Sequence, residues 1–346
     1  MQALILAGGK GTRLRPLTVY TPKPIVPVMN RPLLAYQIEI LRRAGITDIT
    51  LSLSYQPDKI EQLIGSGSDY GVHLSYVTEP SPMGTAGAYR YAIASGGETT
   101  VVFNGDVITD LDVNKLIEFH HTSGAAATLA LAPVPDPSRY GLVPVGKNGE
   151  IAQFLEKPTE DDRKRLKATT INAGIYILEP QVLDMIPMGT NHSFEYEVFP
   201  QLLDKKVPFF GYVMKDEYWR DIGTPESYLE AHHDFLGGRV GGFETPEQDR
   251  AEVATRAEVD KTSILGEGVV VKPGAKVVNS VIGAGVHVEE KAVIENSVIW
   301  SHTRVAAAAE IDNAVIGRSC HIGRNAVVGP GTVLGDKTSL TDYTRV

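Results

Sequence analysis

The chain has 346 residues, 42% of them hydrophobic, and a formal net charge of −9 at pH 7. That length implies two domains and that apolar share fills a sizeable core, while the acidic balance argues against general affinity for nucleic acid or anionic membranes. Cys320 is the only cysteine, so no intrachain disulfide can form, and no apolar stretch approaches the roughly 20 residues of a membrane span. The opening Met1-Gln2-Ala3 lacks the basic flank of a secretory signal, so a cytoplasmic protein is the expectation.

Residues 2–7 read as a short buried strand that breaks into Gly8-Gly9-Lys10-Gly11-Thr12-Arg13-Leu14, followed by Pro22-Lys23-Pro24. Glycines let backbone N–H groups approach phosphate oxygens, and Arg13 can fork two oxygens where Lys23 acts as a point charge. The loop has neither the Gly-Lys-Ser/Thr of a P-loop nor the third glycine of a dinucleotide fingerprint. On its own it indicates a phosphate loop, with a plain surface loop as the alternative.

A helix follows from Pro32, with Leu34, Ile38 and Leu41 on one face and Gly45 placed to end it. Residues 48–53 read as a strand, 57–64 as a helix and 72–77 as a strand, the alternation of βαβ units around a mainly parallel sheet. Residues 99–103 form a buried-strand pattern ending in Asn104-Gly105-Asp106. A carboxylate at that end of a strand lies where open α/β sheets bind ligands and suits Mg²⁺, although Asn-Gly-Asp is also ordinary turn chemistry. Residues 111–121 read as a helix, 126–132 as a strand, and 160–167 as the solvated face of a charged helix. Strands are expected again at 171–176 and 209–214, then a helix with Pro225 at its first position.

The composition then changes. Residues 237–258 read as a linker. Beyond it small or aliphatic residues recur every six positions: Leu265, Val271 and Val277; then Ile282, Val288, Ile294, Trp300 and Ala306; then Ile316, Ile322, Val328 and Leu334. Asn279-Ser280-Val281-Ile282 recurs in similar form seventeen residues later, and once more after another seventeen. Hexapeptide repeats imply a parallel β-helix, here of roughly four coils.

Leu6-Ala7-Gly8-Gly9-Lys10-Gly11-Thr12-Arg13-Leu14 with Pro22-Lys23-Pro24 resembles the signature of the sugar-1-phosphate nucleotidyltransferases, and further motifs of that family recur in order over about residues 1–230. The resemblance implies an α/β fold: a Rossmann-like, mixed but mainly parallel sheet with helices on both faces, spanning 1–236. After the linker at 237–258, residues 259–346 resemble the left-handed β-helices of hexapeptide-repeat proteins. The implied triphosphate site comprises Leu6, Ala7, Gly8, Gly9, Gly11, Thr12 and Arg13, with Arg13 and Lys23 stabilising charge during the reaction. The loop from Glu79 through Gly84 and Thr85 resembles the family's nucleotide-base loop, and the Glu79 carboxylate could accept both donors on the pairing edge of guanine. Gly141, Glu156, Lys157, Asn172 and Glu195 (or Glu197, two residues on) match positions that hold the sugar phosphate. Glu156 and Lys157 are neighbours on a strand, so both serve one ligand only if the backbone bends there, as Pro158 allows. Asp106, with Asp221 in Trp219-Arg220-Asp221-Ile222-Gly223-Thr224, matches the Mg²⁺ ligands.

Such chemistry needs positioning and charge neutralisation but no protein nucleophile. Within the family, the motif set with a short repeat tail most resembles the branch that pairs GTP with mannose-1-phosphate. The alternatives are a glucose-1-phosphate uridylyl-, thymidylyl- or adenylyltransferase, or a catalytically silent regulatory relative. The repeat domain itself reads as a stacking module contributing to a homo-oligomer. Acetyl transfer, with His287, His302 or His321 as base, is the other use of such coils.

Overall fold

The computed structural model describes residues 1–93, 97–166, 168–244 and 251–346. They group into two compact units, one formed by Met1–Gly9 with Leu34–Trp219 and the other by Lys10–Leu33 with Arg220–Val346. Among the described residues no helix is long and apolar enough to cross a membrane.

The first unit is built on a nine-stranded sheet. Its strands are β1 (Gln2–Leu6), β2 (Asp48–Leu53), β3 (His73–Thr78), β4 (Thr100–Asn104), β5 (Ala127–Pro133), β6 (Gly141–Leu142), β7 (Leu155–Glu156), β8 (Thr170–Leu178) and β9 (Phe209–Val213). Seven of them run in the order β7-β6-β8-β4-β1-β2-β3, while β5 pairs with β8 and β9 with β5. The sheet is parallel around β1, which pairs with β2 and β4, and antiparallel around β8. Ala3, Leu4 and Ile5 are all fully buried, as a central strand covered on both faces requires. The strand order reverses between β1 and β4, so the carboxyl ends of these two strands form the crevice where open α/β sheets take ligands.

Besides the single turn Pro180–Leu183, the helices described are α1 (Leu33–Arg43), α2 (Pro57–Ile64), α3 (Gly84–Ala92), α4 (Val113–Ser123), α5 (Glu160–Leu166) and α6 (Phe199–Asp204). Helix α5 buries none of its residues, the expected solvated charge run; Lys167 of that run lies outside the described residues. The core beneath β8 is aromatic. Phe194 and Phe199 stack at 5.5 Å, and Tyr176 meets them at 5.5 and 5.3 Å.

The second unit contains α7 (Pro225–Leu236) and three stacked parallel sheets of six, five and five short strands. Two expectations change here. Residues 237–258 are not linker throughout, because Glu252–Val253 and Glu258–Val259 already pair with the stack. Both strands are largely exposed, as an end coil must be, and this hides them from a search for buried repeats. The part of the linker at 245–250 lies outside the described residues. More than four coils are therefore present.

The second correction is one of phase. Ile299 and Val305, not Trp300 and Ala306, face the interior with Ile294 and Ile311. The middle coils have two six-residue sides and one of five, whereas the pairings at either end of the stack advance by eighteen, so a strict period of six slips once in each middle coil. Through these middle coils the repeat that holds is seventeen: Ser280 Oγ accepts from Ser297 N–H at 3.0 Å, and Ser297 Oγ from Ala314 N–H at 3.1 Å. Asn279 Nδ2 donates to Asn296 Oδ1 at 2.9 Å. His287 and His321 stand exposed in register with Arg304, on coils of regular spacing with no inserted loop to shape an acyl acceptor.

Residues Lys10–Leu33 belong to this unit. Their hairpin, Pro27–Val28 paired with Arg31–Pro32, turns through Met29 and Asn30 at φ 47° and 63°. Met29 N–H donates to Nε2 of the fully buried His232 (3.2 Å), whose Nδ1–H donates to the Tyr228 carbonyl (2.8 Å). That pattern requires neutral imidazole. Burial pushes the His232 pKa from 6.5 down to about 4; the Tyr228 carbonyl opposes this and His233 adds to it. The unfolded chain therefore binds a proton that the folded chain refuses between those values, and stability rises with pH through the window. Acidification from pH 6.5 to 4 is expected to remove about 3 kcal/mol by this route, and thermal melts of His232→Gln should show a shallower fall than the parent.

Candidate active site

In the first unit the ends of β1, β2 and β4 are tied together. Ala7 N–H donates to the Ser52 carbonyl (2.8 Å) and Gly105 N–H to the Leu6 carbonyl (2.9 Å). A Cβ on Gly105 would lie 2.7 Å from that carbonyl, so this turn has to be glycine for Asp106 to follow β4 at the crevice. Gln37, on the apolar face of α1, donates its Nε2 to the carbonyls of Asn104 and Val107, both at 2.9 Å. The two bonds brace the turn on either side of Asp106. Sequence reasoning missed Gln37, although a glutamine at helical spacing from Leu34, Ile38 and Leu41 was a readable signal.

Glu79 reaches the same place from the end of β3. Its Oε1 accepts from Ser52 Oγ (3.1 Å) and lies against Gly8, while Oε2 accepts from Met83 N–H (3.1 Å). The carboxylate thus fixes its own loop beside Gly8-Gly9, with lone pairs left to accept from a ligand. Gly84 and Thr85 begin α3, which packs on the segment 190–192. Thr85 Oγ1 donates to Glu195 Oε2 (2.8 Å) and accepts from Phe194 N–H (2.9 Å). The structure therefore brings Thr85, expected with the nucleotide, to Glu195, expected with the sugar phosphate.

Those residues form one cluster. Ser193 Oγ accepts from the N–H groups of Glu195 and Tyr196 and starts a π-helical turn, Phe194–Val198. Glu195 and not Glu197 is the member that interacts with Glu156, whereas Glu197 accepts from Ser193 N–H (2.7 Å). Glu156 pairs across β6–β7 with Gly141, and a Cβ there would sit 2.9 Å from its Oε2. Burial raises the Glu156 pKa, the charge of Glu195 raises it further, and Lys157 opposes both. Lys157 itself adopts φ 49°, which provides the bend that the Glu-Lys pair requires. On β8, Asn172 Oδ1 accepts from Gly174 N–H and Nδ2 donates to the Tyr176 hydroxyl, both at 3.0 Å, across a bulge in the β5–β8 pairing. Two carboxylates, an amide and a phenol thus converge beside an exposed ammonium. This is a set of acceptors for hydroxyl donors next to one cation for an anion.

The remaining candidates lie in the second unit. Gly11, at φ 60°, passes so close to Lys23 that a Cβ would meet that side chain at 2.9 Å. Thr18 Oγ1 closes the turn by donating to the Gly11 carbonyl (2.7 Å). Lys23 is buried, whereas Thr12 and Arg13 are exposed. Gly223 lies between Asp221 Oδ2 and the Arg13 guanidinium, 2.5 and 3.3 Å from its notional Cβ. Arg13 and Asp221 thus share one locality, a cation for phosphate oxygens beside a hard oxygen donor.

A nucleotidyl transferase family profile matches residues 2–237. The chain belongs to that family. Residues 246–346 match the EIF2B subunit epsilon LbH domain, in agreement with the left-handed β-helix. Among nucleotidyl transferases, the mannose-1-phosphate guanylyltransferase of Mycobacterium tuberculosis is 38% identical over 80% of this chain and 78% of its own. The mannose-1-phosphate guanyltransferase of Debaryomyces hansenii is likewise 38% identical, over 80% of this chain and 73% of its own. A Bacillus anthracis crystal structure, provisionally named a glucose-1-phosphate thymidylyltransferase, superposes with a TM-score of 0.62 at 26% identity, covering 71% of this chain and 98% of that one. The chain is thus a sugar-1-phosphate nucleotidyltransferase with a C-terminal hexapeptide β-helix.

Proposed function

We propose that the protein transfers GMP from GTP to mannose-1-phosphate. An oxygen of the sugar phosphate forms a bond to the α-phosphorus, and the bond from that phosphorus to the bridging oxygen breaks. Pyrophosphate leaves with the electron pair, and GDP-mannose remains. The observation that carries the sugar assignment is that relatives named for this reaction match 80% of the chain. The cluster of Glu156, Glu195 and Asn172 beside Lys157 supports a phosphorylated sugar as acceptor.

In this reading the Gly8–Gly11 backbone and Arg13 hold the triphosphate, with Leu6, Ala7 and Thr12 flanking it. Lys23 stabilises charge at the reacting phosphate. Glu79 reads the base from the loop completed by Gly84, and Lys157 holds the sugar phosphate. Asp106 and Asp221 are the residues proposed to hold Mg²⁺. The donor set fits that ion: both are carboxylates, and among the described residues no three His, Cys, Asp or Glu side chains form a cage of their own. Mg²⁺ is commonly held by one or two carboxylates, with substrate phosphates completing the shell. Bound there, it supplies neutralisation of phosphate charge. The same reading makes the protein a cytoplasmic homo-oligomer whose β-helix contributes to assembly.

The test is pyrophosphate release, with Mg²⁺, over a grid of common triphosphates and sugar-1-phosphates. The expected result is one dominant combination, GTP with mannose-1-phosphate. Dominance of UTP, dTTP or ATP would keep the chemistry and discard the guanine assignment.

A further inference from the structure

We propose that the β-helix is a working part of the triphosphate site, because Trp300 and Tyr228 hold the hairpin next to Lys23 in place. Trp300 stands one place after the interior residue Ile299. It points out of the coil, yet it is almost fully buried. Its Nε1–H donates to the Tyr228 hydroxyl (2.9 Å), and the Arg318 guanidinium lies 5.5 Å from its ring. Tyr228, on α7 and fully buried, donates in turn to the Pro27 carbonyl.

The direction of this relay is fixed by chemistry. Indole N–H is donor only, so the tyrosine oxygen accepts from it, and its single proton goes to the carbonyl. Pro27 begins the hairpin one residue after the turn Lys23–Ile25, with Val26 capping that turn. The far end of the hairpin is held as well: Asn30 Nδ2 donates to the Ile282 carbonyl of a β-helix strand (2.9 Å), and Met29 N–H to His232. A second brace lies on the loop between Arg13 and Lys23. Tyr20 sits under the Lys337 ammonium, 5.7 Å from ring centroid to nitrogen, and Pro16 packs on Gly335.

All of these contacts lie within one compact unit; they tie the segment around Lys23 to α7, 201 and 203 residues away through Pro27 and Met29, and to the coils, 252 residues away at Asn30–Ile282. A loop that must hold a buried ammonium and a guanidinium against a highly charged phosphate chain gains rate from such preorganisation. Trp300 and Tyr228 are positioning residues: they touch no substrate atom and act through Pro27 on Lys23.

The inference rests on the triphosphate role of Lys23 but on no particular base or sugar. Its test therefore uses whichever substrate pair gives the parent its highest rate. Trp300→Phe keeps an aromatic ring and removes the donor, and Tyr228→Phe removes both ends of the relay. Each should lower kcat about tenfold and raise the triphosphate KM several-fold, with the sugar-1-phosphate KM unchanged. The double variant should be no worse than Tyr228→Phe alone, because the two act in series. Lys276→Ala, which deletes the coil-surface ion pair to Glu295, is the control for unspecific damage to the β-helix and should leave all constants at parent values. Circular dichroism and melting curves establish that each variant is folded. A lowered melting temperature with unchanged kcat and KM in folded Trp300→Phe and Tyr228→Phe would make the relay structural only and overturn the proposal. So would additive losses, or an equal rise in both KM values.

Discussion

Asp106→Ala is expected to reduce kcat by about a thousandfold or more, at saturating triphosphate, sugar phosphate and Mg²⁺. The magnitude follows from what the group is for. In phosphoryl-group chemistry without a protein nucleophile, the barrier falls mainly through charge neutralisation and placement, so loss of a metal ligand is not recovered by adding substrate. Circular dichroism and a melting curve check that the variant is folded. Asp106 is only half-buried, and its turn is set by the Gly105–Leu6 backbone bond and by the two amide bonds from Gln37, none of which involves the carboxylate. Asp106→Asn, which keeps the shape and removes the charge, should lose nearly as much. Steady-state rates with a Mg²⁺ titration check both variants. Turnover within tenfold of the parent in either variant would remove Asp106 from the metal site.

The elements around β1 were legible in the sequence because each carries its own local signal. The strand at 48–53 and the helix at 57–64 appear as the structure has them, and the glycine-bounded ends of β1 and β4 announce themselves. What escaped was set by partners distant in the chain. Nothing local in Lys10–Leu33 says that it packs with α7 and with coils two to three hundred residues on, since those contacts run through backbone carbonyls, one ring under an ammonium, and a tryptophan acting through Tyr228. Trp300 was misread for a related reason: an outward residue buried against α7 is as apolar as an interior one, and the five-residue side moves it by one position. Glu195 and Glu197 could be separated only by the π-helical turn, which points one at Glu156 and uses the other on its own Ser193 backbone. The Glu-Lys pair shows the converse. Alternation along a strand predicted that a bend was needed, and the bend is in Lys157 itself, not only in the proline after it.

That bend makes Lys157 the cleanest probe of the sugar-phosphate site. Its ammonium is exposed, so a bound phosphate gains a charge-assisted contact without a buried cation having been maintained beforehand. Such a contact contributes about 1.5–3 kcal/mol, and Lys157→Ala should therefore raise the sugar-1-phosphate KM roughly tenfold to a hundredfold, with a smaller change in kcat and none in the triphosphate KM. The substitution has a second consequence. Lys157 is the group that opposes the upward shift of Glu156, so without it the carboxylate stays protonated to higher pH. The acid limb of sugar-phosphate binding should accordingly move up in pH. Lysine and alanine carry the same left-handed strain at φ 49°, about 1–2 kcal/mol, so the alanine variant removes the ammonium without adding strain, whereas glycine relieves it. Lys157→Gly is therefore the second variant. If both variants raise the KM alike, the lost ammonium is the cause and Lys157 is the phosphate ligand. If neither raises it, the phosphate must be held by another cation.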